Sequence, residues 1–126
     1  MPYLLKTEPT KYSFEDLERD GETTWDGISN NQALLYLRGM KKDEKLVIYH
    51  SNVGKSAVGT AKVVSVDATD PKNPKVRIKP VKRLKAEKPL AEIRAAAVFK
   101  DSLLFRQFRL SVVPLTDAQY DWLTLP

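Results

Sequence analysis

The chain has 126 residues, a length that suits one domain with a single hydrophobic core. A hydrophobic fraction of 42% and a charged fraction of 29% are ordinary for a globular protein and exclude the disordered and fibrous classes. There is no cysteine, so disulfides, thiolate metal sites and cysteine nucleophiles are excluded. The formal net charge of +5 favours a polyanionic partner without requiring one.

The first residues of the sequence predict no targeting signal. Residues 1–8 contain neither a basic leader nor an apolar run of signal-peptide length, and no later segment is apolar for long enough to span a bilayer. Because the chain also lacks cysteine, a reducing compartment suits it. We therefore expect a cytoplasmic protein with no membrane partner. We also expect a monomer, although the sequence does not determine the oligomeric state.

The first half of the chain predicts a strand, two helices and a hairpin. Ser13 can cap the first helix, with Asp16 placed to complete a capping box, and Asn30 can cap the second. The segments around these helices are short and β-branched, which favours strands. In chain order the predicted elements are a strand over 3–6, a helix over 13–20, a turn over 25–28, a helix over 30–38 and hairpin strands over 45–51 and 57–66.

The second half of the chain predicts two further strands and two further helices. Pro89 suits the first turn of a helix, Pro114 can stop a strand, and Thr116 with Gln119 suits a capping box. Because short strands and small helices follow one another without a repeated strand–helix–strand unit, we predict an α+β fold around a strongly bent sheet or barrel. The predicted elements are a strand over 75–79, a helix over 90–96, a strand over 109–113 and a helix over 116–124.

A basic strip follows the second predicted hairpin strand. Residues 75–88 carry seven cationic side chains and one acid, Glu87. At the start of this segment the cations alternate with Val76 and Ile78, which places the charges on one exposed face. The strip predicts contacts with the phosphates of a nucleic acid, but charge alone does not distinguish this from a solvated lysine face. The candidate phosphate contacts, termed the basic strip, are Lys75, Arg77, Lys79, Lys82 and Arg83.

The sequence offers few candidates for enzyme chemistry. His50 is the only histidine, and no predicted helix pairs it with a carboxylate at metal-ligand spacing, so we expect no metal. His50 and Ser51 are adjacent, and adjacent residues of a strand point to opposite faces, which argues against a nucleophile–base pair. Gly54-Lys55-Ser56 lacks the earlier glycine of a phosphate-binding loop. We therefore expect a protein that is not an enzyme and that needs no cofactor.

Polar and aromatic residues cluster at the ends of the predicted elements. Trp25 is a candidate surface for stacking a nucleobase, although a lone tryptophan is more often part of the core. Asn30 is a candidate for reading a base edge, although it also suits a simple helix cap. An aromatic ring with amide, hydroxyl and guanidinium groups is what recognition of an unstacked base requires. The set comprises Lys6 to Glu8, Trp25 to Gly27, Asn30, Gln32, Tyr49 to Ser51, Arg106, Gln107, Arg109 and Ser111.

Seven blocks of the sequence, taken in order, resemble the motifs of EVE domains. They extend nearly from end to end of the chain, and their common order and spacing make the resemblance specific, whereas one block alone would be weak. The blocks are Lys6-Thr7-Glu8-Pro9, Tyr12-Ser13-Phe14-Glu15-Asp16-Leu17, Trp25-Asp26-Gly27-Ile28, Asn30-Asn31-Gln32-Ala33, Tyr49-His50-Ser51-Asn52, Val58-Gly59 and Arg106-Gln107-Phe108-Arg109-Leu110-Ser111-Val112.

The resemblance implies both a fold and a ligand class. EVE domains are similar in fold to the PUA, ASCH and YTH modules, which implies a PUA-like small bent β-barrel flanked by short helices, as a single domain over residues 1–126. Members of the family are thought to bind modified bases in DNA or RNA, notably cytosine derivatives. The family pocket carries over to Lys6, Thr7, Glu8, Trp25, Asn30, Tyr49, His50, Ser51, Arg106, Arg109 and Ser111.

This sequence departs from the family pattern at the edge of that pocket. Thr7 stands where the family usually has serine, and Ser29 stands where it has arginine. A further family arginine falls where this chain has Leu34 or Leu35. Two cations beside the presumed base are therefore missing, which bears on the choice of ligand and not on the fold.

The leading hypothesis is a non-enzymatic module that holds a modified nucleobase of DNA or RNA in a pocket. The alternative is a receptor for a free nucleobase, a nucleoside or a related heterocycle, which would show no salt-dependent binding to a polymer. A third hypothesis is a hydrolase with His50 as general base and Glu8 or Asp26 assisting it. DNA or RNA, the modification and the strandedness stay open at this point.

Overall fold

The computed structural model describes residues 1–107 and 109–126. Phe108, which belongs to the last block of the EVE resemblance, lies outside the described residues. The strands are β1 (Tyr3–Thr7), β2 (Thr23–Trp25), β3 (Lys45–His50), β4 (Ser56–Asp67), β5 (Lys75–Pro89) and β6 (Val112–Pro114). The helices are α1 (Phe14–Asp20), α2 (Asn31–Arg38), α3 (Leu90–Ala95), α4 (Leu103–Arg106) and α5 (Asp117–Leu123), with a 3₁₀ turn at Ala97–Phe99.

The six strands form one curled sheet in the order β2-β5-β4-β3-β1-β6. β1 pairs with β3 in parallel, and the other neighbouring strands are antiparallel. β4 and β5 are 12 and 15 residues long, and their pairing register shifts at three places, which bends the pair strongly. The sheet is therefore a half-barrel with short helices packed against it, and the predicted α+β, barrel-like fold is confirmed.

The four predicted helices are present, and each of their ends lies within one residue of its predicted position. Ser13 and Asp16 exchange the two hydrogen bonds of a capping box before α1. Thr116 and Gln119 form the same box before α5. The side-chain oxygen of Asn30 accepts the backbone N–H three residues later, at the start of α2. These bonds satisfy backbone donors locally, which explains why local sequence fixes the helix starts.

Strand β5 is longer than the sequence predicts. The strand predicted over 75–79 continues to Pro89 and includes Pro80, which lies where the β4–β5 register is irregular and the strand can tolerate a residue without an N–H. Val76 and Ile78 are fully buried and the cations on either side of them, Lys75, Arg77 and Lys79, are exposed, so the predicted alternation is confirmed. The basic strip therefore lies on a long strand that spans the sheet.

Two other predicted boundaries required correction. The turn predicted over 25–28 begins later, because Trp25 is the last residue of β2, a short strand paired with β5. The strand predicted over 109–113 is shorter and is displaced toward the C-terminus, and it includes Pro114 instead of stopping before it. This position suits proline because β6 is an edge strand, where a missing N–H costs no ladder bond.

Helix α1 is positioned by a close fit between Phe14 and Gly59. Phe14 is fully buried. A Cβ at Gly59 would lie only 2.4 Å from the nearest atom of the Phe14 ring, so the ring can occupy its place only because residue 59 has no side chain. The fit fixes α1, and with it the preceding Tyr12, relative to the sheet.

Candidate functional site

The last residues of β1 separate two hollows on the molecule. In the parallel pairing with β3, Lys6 lies beside Tyr49 and Thr7 lies beside His50. Successive residues of a strand point to opposite faces of the sheet, so the two pairs face opposite sides. This alternation places Lys6 and Thr7 in different hollows.

The first hollow, termed the Trp25 cleft, has a volume of about 310 Å³. Trp25 is 8% exposed, and its ring meets the ring of Tyr12 edge-on, with centroids 6.3 Å apart and planes inclined by 77°. Hydroxyl groups and one carboxylate complete the lining, so the cleft combines an aromatic wall with hydrogen-bonding groups. Its lining residues are Thr7, Tyr12, Thr23, Thr24, Trp25 and Asp26.

Thr7 and His50 hold the chain that enters α1. Thr7 Oγ1 donates a hydrogen bond of 2.6 Å to the Tyr12 carbonyl, and the Phe14 N–H donates one of 3.0 Å to His50 Nε2. Burial lowers the pKa of His50, which favours the neutral imidazole that this bond requires. The Nε2 lone pair is therefore used in positioning Tyr12 at the cleft and is not directed at a ligand.

Asn30 acts as a helix cap in this structure. Its Oδ1 accepts the Ala33 N–H at 2.9 Å, and the residue lies at the start of α2, after the loop that leaves the cleft at Asp26. The cap uses the oxygen of the side-chain amide and leaves its NH₂ group without a partner among the described residues. Asn30 can therefore cap α2 through its Oδ1 and still offer its NH₂ group to a ligand.

The second hollow, termed the basic groove, lies on the Lys6 side of β1. It consists of two cavities of about 250 and 430 Å³ that share Lys6, Ser51 and Asn52. Four cationic side chains line it against a single carboxylate, that of Glu8, which already lies 3.4 Å from Lys11 Nζ. The lining residues are Lys6, Glu8, Tyr49, Ser51, Asn52, Lys55, Leu90, Arg94, Leu104, Phe105, Arg109 and Ser111.

Burial shifts the pKa of two residues in the basic groove, and an aromatic ring contacts one of its cations. Burial lowers the pKa of Lys6 and raises the pKa of Tyr49, while the nearby Arg94 charge acts to lower the pKa of Tyr49. The Arg94 guanidinium lies over the Phe105 ring, 4.5 Å from its centroid. Arg94 therefore makes a cation–π contact with an aromatic side chain of the groove while remaining exposed.

The basic strip reaches the Trp25 cleft through β2. Thr24, in the cleft, is paired with Arg77, whose Nη1 donates to Thr24 Oγ1 at 2.8 Å. Arg77 also pairs with Glu22, and Arg83 pairs with Glu18. These ion pairs are half-exposed, so each contributes about 0–1 kcal/mol and can be exchanged for a phosphate. Among the described residues, no carboxylate lies within ion-pair distance of Lys75, Lys79 or Lys82.

The structure assigns the predicted ligand residues to three places. Thr7 and Trp25 line the Trp25 cleft. The basic groove contains Lys6, Glu8, Tyr49, Ser51, Arg109 and Ser111. Among the described residues that line the two hollows, Asn30, His50 and the exposed Arg106 at the end of α4 are absent.

Some lining residues were not predicted from the sequence. Tyr12 and Asn52 belong to blocks of the EVE resemblance, so the blocks themselves were the signal that could have identified them. Lys55 and Arg94 lie outside those blocks. They lie close together because the N–H of Leu90, the first residue of α3, donates to the Lys55 carbonyl at 2.8 Å, and Arg94 lies on the same helix. This contact cannot be predicted from the local sequence.

Metal ligands and membrane-spanning helices were also considered. Within residues 1–107 and 109–126, no three or more histidine, aspartate or glutamate side chains are grouped so that they could hold a metal ion. In the same part of the chain, no helix has both the length and the apolar character needed to cross a bilayer.

Comparison with known proteins identifies the family. The EVE domain profile matches residues 2–124. The chain is an EVE domain. Thymocyte nuclear protein 1 of Homo sapiens is 30% identical to it, in an alignment that covers 95% of this chain and 71% of the human protein. The resemblance of the seven sequence blocks is therefore confirmed over nearly the whole chain.

Solved structures of related proteins have the same fold as this EVE domain. A crystal structure of a protein from Agrobacterium tumefaciens superposes with a TM-score of 0.91 at 30% identity, covering 98% of this chain and 90% of that one. The human THYN1 protein, crystallised in complex with DNA containing 5-methylcytosine, superposes with a TM-score of 0.86 at 30% identity and covers 96% and 94%. An ASCH protein from Zymomonas mobilis, at 7% identity and a TM-score of 0.61, shares the PUA-like fold alone.

Proposed function

We propose that this EVE domain is a non-enzymatic nucleic-acid-binding module that holds a modified nucleobase of DNA or RNA in the Trp25 cleft. The observation that carries the proposal is the cleft itself, with its aromatic wall and polar lining, in a fold that matches the human THYN1 complex with DNA containing 5-methylcytosine. The volume of about 310 Å³ lies at the small end of the range for small-molecule sites, which suits a single base.

The lining of the cleft suits a cytosine derivative. A carboxylate such as that of Asp26 accepts a hydrogen bond from the exocyclic amine of cytosine, and threonine hydroxyls can donate to its ring acceptors. The Trp25 and Tyr12 rings provide the apolar contact that a methyl group on the base would favour. A base can reach such a cleft only when it is unstacked, in a single strand or flipped out of a duplex.

Charge beside the cleft supports a polymer as ligand and disfavours a free heterocycle. The basic strip borders the cleft through Thr24 and Arg77, and among the described residues no carboxylate lies within ion-pair distance of three of its lysines, although the charge of Lys75 acts on Asp67. Cationic surfaces of this kind bind phosphates and make affinity fall with salt. A receptor for a free nucleobase would gain nothing from them.

The position of His50 supports a binding function over the hydrolase hypothesis. Its Nε2 lone pair accepts the Phe14 N–H, and a general base needs that lone pair. Of its two suggested helpers, Asp26 lines the Trp25 cleft and Glu8 lines the basic groove, so the three groups do not share one hollow.

A binding panel tests the proposal. Single- and double-stranded DNA and RNA oligonucleotides, each with plain or 5-methylated cytosine, are titrated at two salt concentrations, and we expect preference for a modified base together with salt-dependent affinity. Absence of binding to every strand would contradict the proposal. Release of a modified or hydrolysed base during a long incubation would instead support the hydrolase.

The basic strip is tested in the same panel. We expect the combined Lys75→Ala, Arg77→Ala and Lys79→Ala variant to weaken binding to all strands alike and to reduce the salt slope by about two to three. The matched control removes three exposed lysines elsewhere, with Lys41→Ala, Lys42→Ala and Lys100→Ala. Equal salt slopes in the two triple variants would indicate that the basic strip is only a solvated lysine face and does not contact phosphates.

A further inference from the structure

We propose that Glu18 and Glu22 compete with phosphate for the two arginines of the basic strip, so that binding through the phosphates alone stays weak and a strand binds well only with its base in the Trp25 cleft. This inference rests on the proposed function and adds to it two acidic residues that limit non-specific binding. Neither glutamate belongs to the seven blocks of the EVE resemblance.

The first support is the direct contact between each glutamate and one arginine. Glu22 Oε1 lies 2.5 Å from Arg77 Nε, and Glu18 Oε1 lies 2.6 Å from Arg83 Nη2. A guanidinium group binds a phosphate best through two parallel N–H donors, and each carboxylate already uses one donor of its arginine. All four side chains are half-exposed, so a phosphate can reach these arginines once the glutamates move away.

The second support is the division of the acids on and after α1. Asp16 and Asp20 are paired with Arg19 of the same helix, at 3.0 and 3.3 Å. Glu18 and Glu22 instead reach across to β5. Among the described residues they are the carboxylates that lie within ion-pair distance of the basic strip. The negative charge that faces the strip therefore comes from these two side chains.

The third support is that packing fixes Glu18 beside its arginine. Phe14 and Glu18 are four residues apart on α1, so they lie on the same side of the helix. The Arg83 guanidinium lies 5.6 Å from the centroid of the Phe14 ring, and that ring is buried against Gly59. Because the helix is anchored there, Glu18 is held near Arg83 and competes with a phosphate at little cost in entropy.

The fourth support is the position of Arg77 beside the Trp25 cleft. Arg77 Nη1 donates to Thr24 Oγ1 at 2.8 Å, and Thr24 lines the cleft. The bond to Glu22 uses a different donor, Nε, so Arg77 can keep its bond to Thr24 while a phosphate replaces Glu22. A base in the cleft tethers its strand beside this arginine, which raises the effective concentration of phosphate there and favours displacement of Glu22.

The test removes the two acids and measures binding to strands. The variant is Glu18→Gln combined with Glu22→Gln. Its matched control, Glu15→Gln combined with Glu92→Gln, makes the same change in net charge at two exposed acids that lie on α1 and α3 and are outside ion-pair distance of the strip. The probes are an unmodified deoxythymidine single strand and a strand containing 5-methylcytosine, titrated by fluorescence anisotropy at several salt concentrations. Thermal melting verifies that all forms are folded.

We expect the Glu18 and Glu22 double variant to bind the deoxythymidine strand about two- to 30-fold more tightly than the parent, because two exposed ion pairs no longer compete. Its salt slope should be steeper by up to about 1.4, since two arginines then contact phosphates without releasing a carboxylate. The control should show a smaller rise in affinity and the parent slope. In a background with Arg77→Gln and Arg83→Gln, the two glutamate changes should give no more than the control does.

Two results would overturn the inference. One is an equal rise in affinity in the variant and the control, which would make the effect one of net charge alone. The other is a rise that persists in full when both arginines are replaced, which would show that the glutamates act on other groups.

The same titrations separate this inference from the proposed function. Preference for the 5-methylcytosine strand, together with a variant that behaves like its control, would leave the proposed function standing and remove the inference. Tighter binding by the variant without preference for the modified base would support the competition and contradict the proposed function. Failure of the parent and both variants to bind either strand would contradict both.

Discussion

Replacing Trp25 with alanine tests the Trp25 cleft most directly. Sequence alone sets stacking against core packing at this position, but the structure gives Trp25 both roles, because it is 8% exposed, belongs to the hydrophobic core and also lines the cleft. We therefore expect Trp25→Ala to lower both the stability of the domain and its affinity for the base.

The two losses have different expected sizes. Truncating a buried tryptophan costs about 3–5 kcal/mol of unfolding free energy, and the lower end applies here because one part of the side chain already borders a cleft. For a domain of this size that corresponds to a fall in melting temperature of about 10–15 °C. Loss of base stacking, worth about 1–3 kcal/mol, weakens affinity by about five- to 150-fold.

Fluorescence and melting measure the two effects separately. In a Trp122→Phe background Trp25 is the only tryptophan, and Trp122 packs on Phe99 with ring centroids 5.8 Å apart, away from the cleft. We expect 5-methyl-2′-deoxycytidine to quench Trp25 fluorescence, and Trp25→Phe, the matched control, to keep more of both stability and affinity than Trp25→Ala.

Two results would refute this reasoning. A melting temperature of Trp25→Ala within about 3 °C of the parent would show that Trp25 contributes little to the core. Unchanged Trp25 fluorescence, under conditions in which calorimetry detects saturated binding of the nucleoside, would show that the base binds elsewhere.

Three further predictions concern residues around the cleft. Asn30→Ala should cost about 1 kcal/mol of unfolding free energy because the α2 cap is lost, whereas Asn30→Asp keeps the acceptor and should melt like the parent. If Asn30→Asp keeps its stability but binds the ligand more weakly, the amide NH₂ group contacts the ligand. The pKa of His50 is lowered in the folded state, so the unfolded chain takes up the proton first as the pH falls below the ordinary histidine pKa of 6.5. The stability that this group contributes is therefore complete above that pH and declines below it. Urea unfolding of His50→Gln at about pH 7.5 and 5.5 should show a smaller difference in stability than the parent does, and an equal difference would be the contrary result. Gly59→Ala should lower the unfolding free energy by about 1–3 kcal/mol, because its methyl group would lie 2.4 Å from the Phe14 ring. In a double-mutant cycle, adding Phe14→Leu should restore part of that stability, and additive effects of the two changes would contradict the close fit.

Local sequence determined the helices and the character of the strands. The capping boxes of Ser13 with Asp16 and of Thr116 with Gln119 join residues three apart, so their consequences can be predicted without knowing the rest of the fold. The alternation around Val76 and Ile78 predicted which side of β5 is buried for the same reason. The ordered blocks of the EVE resemblance then identified the family and most residues of the two hollows.

Only the tertiary structure decided how those residues are distributed. The parallel pairing of β1 with β3 places Lys6 beside Tyr49 and Thr7 beside His50, and the bond from Phe14 N–H to His50 Nε2 joins residues 36 positions apart. The contact of Arg77 with Thr24, which brings the basic strip to the cleft, joins residues 53 apart. Such contacts depend on strand order, register and the bend of the sheet, which are set by packing over the whole chain and leave no signal in a short window of sequence.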